Sequence, residues 1–176
     1  MYEISPVYAR VVYRHCREQG VSVAELLRDT NLRAGQLQEG GQIELSSFVR
    51  LLENAQRLSG ERTLGLLIGR YNNSTALGYV GLAMTSAPTI REGLQTLEHF
   101  SRLQASYIQV ELVSSLESLA IRLRFLVDVG DIERLHTEAS VMLIQDYVEM
   151  LIGEKLTDAH YCMGFPEPEY VDAYAS

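Results

Sequence analysis

The sequence predicts an α+β fold: a mostly helical N-terminal part packed on a small antiparallel sheet, with a long helix near the C-terminus. Three observations predict it. Apolar residues recur every three or four positions through most of the first hundred residues, the spacing of helices with one buried face. Two runs after residue 107 alternate strictly between apolar and polar, the spacing of half-buried strands. Residues 132–152 then return to the helical period over the longest such stretch in the chain.

Pro6 opens the first helix, because its missing N–H is unsatisfied in a first turn anyway. Tyr8, Val11, Val12 and Cys16 mark its apolar stripe, and Gly20 ends it. Ser22, with Glu25 three residues later, predicts a capping box and a short second helix that stops near Asn31. Residues 31–42, rich in Gly and Gln, read as a loop. Residues 45–58 form a third helix on Phe48, Leu51, Leu52 and Ala55, broken by Ser59-Gly60. Residues 63–71 are apolar on most sides and predict a buried fourth helix, with Gly65 and Gly69 permitting close backbone approach. Asn72-Asn73-Ser74 is a turn. Residues 75–85 read as helix despite Gly78 and Gly81. Pro88 breaks it, and Thr89 with Glu92 predicts a second capping box on a helix striped by Ile90, Leu94, Leu97 and Phe100/Ser101.

Residues 108–113 and 119–125 alternate, and 114–118 is a turn between them, so the two runs form an antiparallel hairpin. Arg122 and Arg124 fall opposite Leu119, Ile121, Leu123 and Phe125. The long helix follows, with Asp131 as its cap. Residues 155–163 are expected as a third strand, and Pro166-Glu167-Pro168-Glu169-Tyr170 as a capped turn or helix.

Composition narrows the function. With 176 residues and 47% hydrophobic content, the chain can bury one substantial core. Its 15 basic and 23 acidic residues give a net charge of -8, which argues against direct duplex binding by this segment. All the basic residues except Lys155 are arginine, which fits paired guanidinium groups and equally fits a genome's compositional bias. Cys16 and Cys162 lie far apart and make no zinc or redox motif. Neither a secretion signal nor an apolar run of the roughly 20 residues a membrane span needs is present, so a cytoplasmic, soluble protein is expected.

No nucleophile elbow, phosphate loop or zinc-protease motif occurs, and an enzyme is not expected. His15, His99, His136 and His160 share no metal-ligand spacing, and His136-x-Glu138 is too short a pattern to weigh. No metal or cofactor is expected. His99 and Arg102 share a helix face at i, i+3 and can converge on an anionic or hydrogen-bonding ligand, or form a surface pair. Arg122 and Arg124 can grip a carboxylate or phosphate, or lie solvated and paired with Glu111 or Glu117. Tyr79, between Gly78 and Gly81, can present a phenol to a ligand or sit in the core.

Residues 63–69 (Thr-Leu-Gly-Leu-Leu-Ile-Gly) are followed by Ala76-Leu77-Gly78-Tyr79-Val80-Gly81-Leu82-Ala83-Met84-Thr85-Ser86-Ala87-Pro88-Thr89-Ile90-Arg91-Glu92-Gly93-Leu94. This pattern resembles the arabinose-binding-like N-terminal domain of AraC/XylS-type transcriptional regulators. Ile90 stands where that family has Leu, and Gly93 where it has Ala. The tail Gly164-Phe165-Pro166-Glu167-Pro168-Glu169-Tyr170, with Tyr174 beyond it, resembles the family's "F-x-x-P-x-P-x-Y…Y" segment.

The resemblance implies that 1–176 is one effector-binding, regulatory domain of a bacterial transcription activator, truncated before its further strands and its C-terminal helix-turn-helix DNA-binding domain. It implies a small-molecule effector of unknown identity, a homodimer assembled through a long helix such as 132–152, and DNA contact only through the missing part. The effector is expected in a pocket between the helices and the sheet. The family name does not carry its sugar to this chain. The alternatives are a ligand-free interaction or dimerisation domain, and a haem or other cofactor sensor with His99 or His136 as axial ligand.

Overall fold

The structure is a computed structural model that describes residues 2–39, 41–70, 78–115 and 118–175. It is α+β. Strand β1 (Glu3–Ile4) leads into helix α1 (Pro6–Glu18), followed by the single turns α2 (Val23–Leu26) and α3 (Gln36–Glu39), then β2 (Ile43–Glu44) and α4 (Leu45–Ser59). Helices α5 (Leu64–Arg70), α6 (Gly78–Thr85) and α7 (Ile90–Gln104) come next. Strands β3 (Ile108–Ser114) and β4 (Leu119–Phe125) form the hairpin, and α8 (Glu133–Ile152) is the long helix.

The hairpin is antiparallel, with Ile108 opposite Phe125 and Ser114 opposite Leu119. Its two edges differ. The β3 edge faces α7, where the Glu98 carboxylate accepts the Leu112 N–H at 2.8 Å. The β4 edge pairs with no strand among the described residues. A second, two-residue ladder joins β1 to β2, and Ile4 also bridges Ala105, tying the N-terminus to the end of α7.

Helix ends follow local chemistry. Gly60 and Gly153 close α4 and α8 in the left-handed conformation, where a side chain would be strained. Thr89 accepts the Glu92 N–H, as its spacing predicts. The Ser22 capping box does not form: Ser22 makes no side-chain cap bond, and its helix lasts only one turn. The loop expected at 31–42 contains the turn α3. Residues 155–163 are not a strand; most are exposed and have no ladder partner. The turn at 72–74 and the start of the helix expected from 75 lie outside the described residues.

Helix α8 is the organising element. Leu135, Ala139 and Met142 pack on α5, where Gly65 and Gly69 let the two backbones approach. His136 lies inside a ring of aromatics: Phe48, Tyr107, Phe125 and Tyr8 have centroids 5.4, 5.7, 5.5 and 6.4 Å away. Glu138 is 1% exposed and accepts the hydroxyls of Tyr170 and Tyr174 at 2.8 and 2.6 Å. The C-terminal tail is therefore fastened to α8, helped by Arg134 over the Tyr170 ring and by the Arg62–Glu169 ion pair. Burial, followed by the bond to Glu138 and its charge, pushes the Tyr170 hydroxyl up to about 12, so it remains a donor at any physiological pH.

Burial lowers the His136 pKa from 6.5 to about 4. Above pH 6.5 the ring is neutral in both folded and unfolded chains. Between 6.5 and about 4 only the unfolded chain takes the proton, so stability falls as pH falls. Chemical denaturation is expected to show about 2 kcal/mol less stability at pH 5 than at pH 7. His136→Phe keeps the aromatic packing and should flatten that slope; an unchanged slope would place the titration elsewhere.

Candidate functional site

Two adjoining cavities lie where the hairpin meets α8. The outer one is an open groove of about 1020 Å³ along the free edge of β4. Helix α8 forms its other bank through Glu133, Thr137, Val141 and Ile144, which step by three or four along one helix face. The segment His160 to Phe165, exposed except for half-buried Met163 and Phe165, lies across it. The inner one is a small recess of about 30 Å³ between α1, α7, the hairpin and α8. Leu123 and Ile144, both half-buried, line both spaces and are their shared wall.

The inner cavity has a polar side and an apolar side. Ser101 and Gln104, at i, i+3 on α7, share it with Ser140 of α8 and Tyr8 of α1. Leu97, Ile108 and Leu143 close the remainder. Gln104 Oε1 is buried with no hydrogen-bond partner, which is uncommon in a folded interior. Ser140 donates its hydroxyl to the His136 carbonyl at 2.8 Å, and Ser101 directs its hydroxyl at the Glu98 carbonyl at 3.5 Å.

Among the residues singled out in the sequence, Arg122 and Arg124 line the groove. Arg122 pairs with Glu111 at 2.9 Å, one of the two partners its position predicted; the other, Glu117, lies outside the described residues. Arg124 stands opposite Gln109, is exposed, and has no ion-pair partner among the described residues. Tyr79, His99 and Arg102 line neither cavity. Tyr79 is 89% exposed on α6. His99 is exposed and bonds through Nδ1 to the Gln95 carbonyl of its own helix at 2.7 Å, and Arg102 reaches the Ser106 carbonyl at 3.4 Å. Neither cavity is lined by His136, whose ring is shut in by four others, so it offers no open face for an axial ligand. The serines, Gln104 and Tyr8 were not legible as a set, because three separate elements bring them together. Ser101 alone carried a signal, as a hydroxyl on an apolar stripe.

Comparison with known proteins decides the family. The domain described as "Arabinose-binding domain of AraC transcription regulator, N-term" matches residues 20–176, most of the chain. The chain belongs to this family. A curated relative, the "Ornithine utilization regulator" of Pseudomonas aeruginosa, is 27% identical over 175 residues. That match covers 98% of this chain and 52% of the relative, so the chain spans about half the length of the curated relative it matches. The family's proteins are transcription regulators, and the resemblance read from 63–94 and from the tail motif agrees with the match. The two tail tyrosines of that motif are the pair that Glu138 holds. Among the described residues no helix is long and apolar enough to cross a membrane.

Proposed function

We propose that this domain of an AraC-type regulator senses a small molecule at the junction of the hairpin and α8, and so controls a DNA-binding part further along the protein. The observation that carries the reading is the pairing of an open groove with a small, mostly apolar recess that has one polar side, the two sharing Leu123 and Ile144 as a wall. The cavity admits one small polar group, and the groove has room for the rest of a molecule. Arg124, exposed at the groove's rim, is the cation available to an acidic ligand group, with Arg122 secondary because Glu111 already holds it.

Helix α8 supplies the transmission. Thr137, Ser140, Val141 and Ile144 face the two cavities, while Glu138, one residue from Thr137, holds the tail. A ligand that favours one position of α8 shifts the population in which the tail is fastened, provided it binds the two states with different affinity. In this reading the domain is cytoplasmic, carries no catalytic activity and needs no cofactor.

A thermal-shift screen of amino acids, fatty acids and aromatic acids tests the reading. Ornithine comes first, since the similar protein of Pseudomonas aeruginosa is a regulator of ornithine utilization. A ligand at 100 times its dissociation constant should stabilise the chain by about 2.7 kcal/mol. A screen without a single stabilising compound would contradict it.

A second reading is favoured by the unpaired edge of β4. Seven residues of free strand edge invite pairing with another strand, so the same groove can be an interface. Dimerisation through α8 itself would have to use its last turn, since Met150, Leu151 and Ile152 are its exposed apolar residues while most of its stripe is buried. Sedimentation at the mass of a monomer across the accessible protein concentrations would count against both interfaces.

A further inference from the structure

We infer that the inner cavity receives a primary amino group, carried on an apolar stem that passes between Leu123 and Ile144. The inference rests on the ligand-sensing reading above and adds the chemistry of the ligand's head.

The cavity holds about 30 Å³, room for one small group. Its polar side offers three acceptors beside one further hydroxyl, that of Tyr8. Gln104 Oε1 is a carbonyl oxygen with no partner. A serine hydroxyl has one hydrogen and two lone pairs. Ser140 directs its hydrogen to the His136 carbonyl and Ser101 to the Glu98 carbonyl, so both face the cavity with lone pairs. Three acceptors thus converge from α7 and α8.

The three common head groups meet this set differently. A carboxylate or phosphate brings more acceptors, and no Arg, Lys or His lines the cavity among the described residues to offset its charge; no Asp or Glu lines it either, so an ammonium relies on the three acceptors and the Tyr8 ring. A hydroxyl brings one hydrogen and leaves acceptors unmet. An amino group brings two N–H when neutral and three when protonated. Tyr8 lines the same space, and an aromatic face is a favourable neighbour for an ammonium. The net charge of -8 on the chain also favours the approach of a cation over an anion. Leu97, Ile108 and Leu143 form the other walls, so the carbon next to the head must be methylene-like. Leu123 and Ile144 separate the cavity from the groove, and a change of rotamer at those two half-buried side chains would join the two.

The test is a set of thermal melts of the 176-residue chain with n-butylamine, n-butanol or butyrate at matched concentration and ionic strength. Wild type, Gln104→Leu and Ser140→Ala are compared. Butylamine is expected to raise the melting temperature of wild type most, and butyrate least. Without additive, Gln104→Leu should melt at or above wild type, because its amide oxygen has no bond to lose and the Gln104 backbone carbonyl still accepts the Ser5 N–H. With butylamine, its apparent affinity should fall at least about tenfold, a loss of roughly 1.4 kcal/mol. Ser140→Ala should lose a smaller part. A stronger response to butanol or butyrate would overturn the amine assignment and leave the sensing reading standing. A butylamine response unchanged in both variants would overturn it too, by placing the amine elsewhere. No response to these probes, with a screened compound still stabilising the chain, again removes only the amine assignment. Silence to every compound removes both.

Discussion

Gly65→Ala is expected to destabilise the chain by about 3 kcal/mol or more. A Cβ at Gly65 would lie 2.5 Å from the Leu135 backbone oxygen, 2.6 Å from Glu138 Oε2 and 2.8 Å from Glu138 Cβ. The closest atom is backbone on the central helix, so no rotamer change relieves it. Removing the Glu138 side chain as well should therefore not rescue the variant. Gly69→Ala meets the same obstacle one turn on, 2.6 Å from both the Ala139 backbone oxygen and Met142 Cβ. Urea denaturation of each variant checks the claim. A loss below about 1 kcal/mol would mean that α5 and α8 separate more easily than their packing implies.

The second large effect is expected at the tail. Replacing both Tyr170 and Tyr174 by phenylalanine should cost about 3 kcal/mol, because it leaves the Glu138 carboxylate buried without its donors. Glu138→Leu should cost less than the double tyrosine variant, since it removes the buried charge together with the need for the donors. The two single tyrosine variants should each cost clearly less than the pair. Limited proteolysis gives a separate readout: cleavage between residues 155 and 175 should appear in the double variant and not in wild type. Equal costs for Glu138→Leu and the double variant, with no new cleavage, would mean that the tail is held by other contacts.

Much of this architecture is written in the sequence's periods. The α1, α4 and α7 stripes bury most of the residues their spacing marks, Phe100 being exposed and Tyr8 and Ile90 half-buried, and the hairpin pairs in the register that the alternation of 108–113 and 119–125 implies. Local chemistry also predicted Thr89 as a cap and Gly65 and Gly69 as points of close approach. What failed depended on partners the sequence does not name. Residues 155–163 carry strand-like residue types but lie exposed, without a ladder to join. The β1–β2 ladder has two residues per strand, too few to leave a period. Ser22 and Glu25 have capping-box spacing, yet a helix of one turn gives the box little to stabilise.

The candidate site was legible only in part. Arg122 and Arg124 were marked by alternation, and both reach the groove. Tyr79 was marked by flanking glycines, but the φ of +52° at Gly78 belongs to the start of a helix whose tyrosine points to solvent. Glu138 was set aside because its neighbour His136 suggested a metal pattern too short to weigh. Its role comes from two tyrosines more than thirty residues away. Gln104 looks like any polar residue at a helix end. Only the packing of α1, α7, the hairpin and α8 makes its oxygen a buried acceptor.

A titration calorimetry experiment on the compound that stabilises the chain best bears most directly on where the ligand binds. It should be run on wild type and on Val141→Trp, which fills the α8 bank of the groove without touching the core, after checking that both melt at similar temperatures. Binding should weaken by at least about tenfold in Val141→Trp. An unchanged dissociation constant would mean that the ligand does not sit between the hairpin and α8.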